Sequence, residues 1–261
     1  MHAHVWPSSE PAGGVEVTPA DPRIACDAVG AAEREAARRS LDDALRLAAL
    51  ARAPRSGRAY DAAKRLLDVV IAAGLMVLTS PVMALLTLLI KLDSPGPAVF
   101  TQERVGRNGR LFEFRKFRTM YVDARERFPE FYAYEYDDDE IDTMYFKLPY
   151  DPRLTRVGRW LRRTSLDELP NLLCVLRGDM SLVGPRPEIP EMLPYYEPHQ
   201  YCKFAVKPGV TGLAQVSGRN ILKFVETNAF DFDYVQRRSL RLDLEILGRT
   251  ALVVPLMVGA H

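Results

Sequence analysis

The chain has 261 residues, is 48% hydrophobic and carries a formal net charge of +1. That length supports one domain with a real core plus appendages. The near-neutral charge gives no general pull towards nucleic acid, so no nucleic-acid partner is expected. Its 3 cysteines (Cys26, Cys174, Cys202) are scattered without CxxC spacing, which fits a reducing compartment. The 4 histidines (His2, His4, His199, His261) are too dispersed to suggest a zinc site.

The first 30 or so residues are rich in Pro, Gly and Ala and read as disordered. They have neither the basic head nor the apolar core of a secretory signal. Residues 31–52 predict a helix. Leu41, Ala44, Leu45 and Ala48 fall on one face, which Leu47 and Leu50 widen. The favoured reading is a helix lying on the domain, the alternative one that receives a partner helix. A linker at 53–57 completes an N-terminal extension over 1–59.

Residues 66–90 form the one long apolar run, interrupted by a charge only at Asp68. As a helix of roughly 25 residues it measures about 37 Å, enough for a bilayer core of about 30 Å. Two features argue against a simple span. Ser80-Pro81 stands near its middle, where proline deletes a backbone hydrogen bond. Basic residues also flank both ends: Arg55, Arg58, Lys64 and Arg65 before, Lys91, Arg104, Arg107 and Arg110 after. Matched positive flanks suggest that both ends stay on one side. The expectation is a re-entrant membrane segment over 60–92, broken at Ser80 and Pro81, with Thr79 or Ser80 satisfying freed carbonyls. A core helix of a soluble domain and an ordinary span are the alternatives.

The remainder, 93–261, reads as a soluble catalytic domain. AVFTQERVGRNGRLFEFRKFRTM predicts strands about an Asn108-Gly109 hairpin turn. Six basic residues from Arg104 to Arg118, and five from Arg153 to Arg163, are either solvated faces or contacts for phosphates and lipid heads. Between them, 121–150 is an acidic, aromatic insertion, partly helical, with Glu135, Asp137, Asp138, Asp139, Glu140 and Asp142. Short helices and Gly/Pro loops follow. The final apolar run, 251–260, is too short to span and could rest in the interface.

The segment TSLDELPNLLCVLRGDMSLVGPRPE, 164–188, has two readings. Structurally, Ser165 and Glu168 make a capping box, Asp167 suits the first turn of a helix, and Gly178 ends it. Functionally, a carboxylate at a helix start near Arg162 and Arg163 stays ionised and can attack phosphorus. Its neighbour Glu168 can hold a magnesium ion shared with phosphates. Pro170 is awkward in a regular helix and hints at a bent one. Arg186, set between two prolines in GPRPE, presents a guanidinium suited to phosphate. KPGVTGLAQVSGRN, 207–220, is a glycine-punctuated loop with Gln215 and Arg219 as candidate ligands.

Taken together and in order, these segments, with DPRLTRVGRWLRRTSLDELPNL and DFDYVQRRSLRLDLEIL, closely resemble the bacterial sugar transferases, the monotopic phosphoglycosyl transferases. The resemblance covers about residues 60–254. It implies an α+β domain, mainly α, with a re-entrant helix and short amphipathic interfacial helices. It implies transfer of a sugar 1-phosphate from a UDP-sugar to polyprenyl (undecaprenyl) phosphate, with release of UMP, at the start of exopolysaccharide, capsule, O-antigen or glycan assembly. Asp167 maps to the family's nucleophile, which forms a covalent aspartyl-phosphosugar, and Glu168 to its Mg²⁺ ligand. Arg162, Arg186, Gln215, Asp231 and Lys116 match substrate-binding positions, and Ser80-Pro81 the helix-breaking pair. Implied surroundings are membrane lipids and the cytoplasmic face of a bacterial inner membrane. A homodimer stays open, as do the sugar and the roles of the extension and insertion. Two other classes are weighed: a metal-dependent glycosyltransferase that uses Asp137-Asp138-Asp139 and releases UDP, and a non-catalytic membrane scaffold.

Overall fold

A computed structural model describes residues 41–54, 56–134, 136, 138–145, 150–218 and 222–253. The disorder expected for the first 30 residues, the start of the first helix, most of the final apolar run, and Asp137 and Arg219 lie outside the described residues.

Helix α1 (Leu41–Leu50) buries Ala44, Leu47 and Ala48. The 3.6-residue period puts these small and branched side chains on one stripe. They share a core with Val105, Ile189, Leu193, Tyr196, Phe204 and Phe224, so the apolar face is used by the chain's own domain.

Helix α2 (Arg58–Asp93) runs for 36 residues, and Pro81 stands inside it. The expected break at Ser80-Pro81 is therefore not an interruption of the helix. Pro81 cannot donate to the carbonyl of Val77, and the Ser80 hydroxyl takes its place, donating to Val77 O at 2.8 Å. Thr79 Oγ1 likewise donates to Leu75 O at 2.7 Å. The hydroxyl repair expected from sequence is in place, and it lets the helix carry its proline.

Both ends of α2 bind the same domain. Near its start, Arg65 donates to the carbonyls of Val175 (2.7 Å) and Leu176 (2.9 Å). Asp68, the lone charge in the apolar run, is buried and accepts from Leu182 N at 2.9 Å. Near its end, Leu86 and Ile90 pack on Ala98, Phe117 and Leu161, and Asp93 accepts from Val157 N at 3.0 Å. Between these anchors no residue from Ala73 to Leu85 is buried; Val77 and Leu78 are 76% and 74% exposed. A hydrocarbon surface of that size facing water would be strongly unfavourable.

Strands β1 (Val99–Val105) and β2 (Leu111–Phe117) pair antiparallel. Their turn has left-handed Asn108 (φ 57°) and Gly109 (φ 71°), as the Asn-Gly signal predicts. The insertion holds short helices α3 (Ala124–Arg127) and α4 (Asp138–Thr143) and docks on the domain: Tyr195 Oη donates to Tyr134 O and accepts from Tyr136 N. Helices α5 (Arg156–Thr164) and α6 (Asn171–Arg177) follow. Strands β3 (Ser181–Val183) and β4 (Gly209–Thr211) then form a short parallel pair. Helices α7 (Leu213–Ser217), α8 (Phe224–Arg237) and α9 (Leu240–Val253) close the chain. Cores between α2, α6, β3, α8 and α9 hold Ala72, Val175, Val183, Tyr234 and Ile246. Asp243 of α9 ties these layers together, accepting from Tyr234, Tyr60 and Lys64 at 2.7, 3.1 and 3.0 Å.

Candidate active site

The two adjacent acids stand on a tight turn between two helices. α5 ends at Ser165, which reverses the chain in the left-handed region (φ 57°). Leu166–Glu168 then form a single 3-10 turn. The expected capping box does not form: Ser165 makes no side-chain cap bond, and α6 starts only at Asn171. Pro170 explains the delay. It is the N-cap of α6, where its missing N–H costs nothing. Gly178 ends α6 with φ 93°, the left-handed stop expected there. The acids are thus freed from starting a helix.

Asp167 is buried, 7% exposed, and three cations from separate elements share its electrostatic neighbourhood: Lys116 of β2, Arg162 of α5 and Arg186 of the GPRPE loop. Burial, then the nearby Arg162, push the half-buried Lys116 ammonium down to about 7, although Asp167 favours its charge. Burial also works against the charge of Arg162, which Asp151 and Asp167 support. Arg186 loses hydration as well, but Glu168, Glu188 and Asp167 outweigh that and hold its proton more firmly. Its Nη1 lies 3.4 Å from Glu168 Oε1, whose side chain is 24% exposed. The arrangement is one buried and one accessible carboxylate inside a cradle of cations.

The two arginines are held from behind. Asp151, buried, takes Arg162 Nη1 at 3.1 Å and Arg153 Nε and Nη2 at 2.8 and 2.9 Å. Arg153 in turn lies over the rings of Phe131 and Tyr132 in the insertion. The GPRPE loop is fixed to the following loop by Gly184 N to Thr211 O (2.9 Å) and Gly209 N to Pro185 O (2.8 Å). Gly184 and Gly209 lie so close that a Cβ on Gly209 would overlap the Gly184 nitrogen.

Asp231, expected to contact substrate, lies behind this loop. It is fully buried and ion-paired with Lys203 Nζ at 2.9 Å. Lys203 also donates to Tyr196 Oη, which donates to the buried Glu188, and Arg104 Nη1 lies 3.8 Å from Glu188. Desolvation raises the Asp231 carboxyl, while Lys203 pulls it the other way. Asp231 therefore positions the arginine loop. Gln215, on α7, lies beside Gly212, which itself packs against Gly184; its amide atoms are buried and make no hydrogen bond among the described residues. Among those residues no cluster of three or more His, Cys, Asp or Glu forms a metal cage. Glu168 does suit Mg²⁺, which takes one or two carboxylates and shares the rest of its shell with water and phosphate.

The family model of bacterial sugar transferases matches residues 59–256. The chain belongs to this family. The sugar transferase is 46% identical over 200 residues to the UDP-glucose:undecaprenyl-phosphate glucose-1-phosphate transferase of Caulobacter vibrioides, covering 74% of this chain and 69% of that one. It is 43% identical over 204 residues to the undecaprenyl-phosphate galactose phosphotransferase of Salmonella typhimurium, covering 76% of this chain and 41% of that one. It is 41% identical over 199 residues to the exopolysaccharide production protein ExoY of Rhizobium meliloti, covering 76% and 88%. It thus spans about two-fifths of the Salmonella protein and most of the Rhizobium one.

Asp151, Glu188 and Lys203 stand behind the candidate site of the sugar transferase and were not singled out from sequence, where Arg104 was read only as part of a basic run. Asp151 and Glu188 lie in quoted motifs, DPR and GPRPE, but nothing in their spacing says which cation they hold. Lys203 sits in an ordinary 3-10 segment and carries no sequence signal.

Proposed function

We propose that this sugar transferase moves a sugar 1-phosphate from a UDP-sugar to polyprenyl phosphate, through Asp167, at the cytoplasmic face of a bacterial inner membrane. The observation that carries the reading is the buried Asp167 on a tight turn among Lys116, Arg162 and Arg186, with Glu168 beside it. Cations from three elements suit a substrate with two phosphates. An Asp167 oxygen attacks the phosphorus next to the sugar, and the bond from that phosphorus to the bridging oxygen breaks. UMP leaves with the electron pair. A phosphate oxygen of the lipid then attacks the same phosphorus, the acyl phosphate bond breaks, and the carboxylate is restored. One energy-rich phosphate bond replaces another throughout. Glu168 would hold Mg²⁺, which when bound offsets phosphate charge during transfer. Arg162 and Arg186 orient the phosphates, and Gln215 offers an amide to the substrate.

The covalent route separates two polyanions in time, which spares the site from holding both at once. Its membrane setting draws on α2: exposed apolar flanks in the middle and both ends on one domain suit a helix that enters the bilayer and returns, with Pro81 at the bend. The relatives' names include undecaprenyl-phosphate acceptors with glucose and galactose. The test is product analysis with purified full chain, polyprenyl phosphate and Mg²⁺ across UDP-glucose, UDP-galactose and N-acetylated UDP-sugars. UMP from at least one donor is expected; UDP in its place, or no nucleotide from any donor, overturns the reading.

A further inference from the structure

A second site, a cavity lined by basic side chains, lies away from Asp167. It encloses about 230 Å³ between the β1–β2 hairpin tip, the end of α6 and the loop before β4. Arg107, Arg110 and Lys207 line it beside Gly178 and Phe112, and Asp179 is its one acidic wall. None of the three side chains makes an ion pair or hydrogen bond among the described residues, whereas the arginines of the active site, Arg104, Arg162 and Arg186, are paired with Glu188, Asp151 and Glu168. Arg65 closes one side: a Cβ on Gly178 would lie 3.5 Å from Lys207 Nζ and 3.6 Å from Arg65 Nη2. Arg65 donates to the carbonyls of Val175 and Leu176, which fixes it in the wall while its positive charge remains, so the other three side chains supply the donors still open to a ligand. Like charges brought together at a cost, with one carboxylate between them, need an anion to offset their repulsion.

We infer that this cavity is a phosphate-binding site, distinct from the catalytic one, at the root of α2. Its volume accommodates one phosphate group with part of an ester substituent. Its position favours a phospholipid headgroup as the source. Arg65 directly precedes the apolar run, and Leu66 next to it is 67% exposed. If α2 enters the bilayer as proposed, the cavity opens at headgroup level, on the leg of α2 opposite the one that packs on α5. There a bound headgroup would clamp the domain to the surface. Only this assignment of the source rests on the proposed membrane setting.

The test uses full-length protein in neutral detergent, titrated with dioctanoyl phosphatidylglycerol, dioctanoyl phosphatidylcholine or inorganic phosphate and read as a thermal shift. The variant is Arg107→Ser/Arg110→Ser, both exposed positions whose loss does not threaten folding. Each basic side chain near an anionic lipid contributes roughly fivefold, so the double variant is expected to bind phosphatidylglycerol roughly thirtyfold more weakly. Phosphatidylglycerol binding wild type more tightly than either other probe, with that gain lost in the variant, supports the headgroup. Equal binding of inorganic phosphate, also lost in the variant, supports the site with a soluble anion as its ligand. Identical titrations for variant and wild type overturn it. UMP release in detergent is unchanged by the variant, which separates failure here from failure of the catalytic reading.

Discussion

Lys116 offers a test of the site's electrostatics that needs no substrate. In the folded chain its ammonium loses its proton near pH 7, against 10.5 in the unfolded chain. At about 1.4 kcal/mol for each tenfold in proton affinity, charging it in the folded site costs about 5 kcal/mol at most. Water reaching this half-buried group screens part of that, which leaves roughly 2 kcal/mol. Between pH 7 and 10.5 the unfolded chain binds the extra proton, so this contribution makes stability rise with pH across that window. Lys116→Met removes the cost altogether. Its melting temperature should exceed wild type by roughly 4–8 °C at pH 6, and by much less at pH 9.5, where most of the penalty in wild type has already gone. Thermal denaturation in detergent at a fixed scan rate measures both. A variant no more stable than wild type at pH 6, or a gain independent of pH, refutes the proposed field around Asp167.

Three further perturbations follow from the geometry. Asp151→Ala strands Arg162 and Arg153 in a buried setting; breaking such a pair costs roughly 3–5 kcal/mol, and thermal denaturation should record that loss together with a fall in UMP release. Lys203→Met and Asp231→Leu should each destabilise by a similar ~3 kcal/mol, but the double variant should recover most of it, because a matched apolar pair leaves no buried charge; additive losses in the cycle contradict the ion pair as the cause. Pro81→Ala restores the missing N–H to Val77 and favours a straight helix. Cysteines placed at Arg58 and Asp93 should both label from the cytoplasm in wild type, and one end should become reachable from outside in the proline variant; unchanged labelling would remove Pro81 from the account.

Where one chemical rule decides a feature, the residues announced it. Asn108-Gly109 gave the hairpin, Gly178 the end of α6, and the stripe through Ala44 and Ala48 the buried face of α1. Competing local rules were harder. Ser165 and Glu168 have the spacing of a capping box, but Pro170 delays α6 and Ser165 turns the chain left-handed, so the same letters build a turn that carries Asp167. The Ser80-Pro81 pair signals a break, yet the serine hydroxyl repairs the lost bond and the helix continues. Long-range pairing was invisible. Asp231 and Lys203 meet only in the fold, and nothing in the motif that carries Asp231 announces its buried cationic partner. Spacing also could not distinguish the arginines of the catalytic cradle from those around the second cavity.

The most direct measurement follows phosphorus itself. Purified enzyme incubated with a UDP-sugar labelled in the phosphate next to the sugar, with Mg²⁺ but no lipid acceptor, should be quenched and its peptides examined by mass spectrometry. One sugar phosphate attached at Asp167, discharged when polyprenyl phosphate is added and lost in Asp167→Asn, is the expected result. Turnover with normal rates in Asp167→Asn, or label carried on another residue, would contradict it.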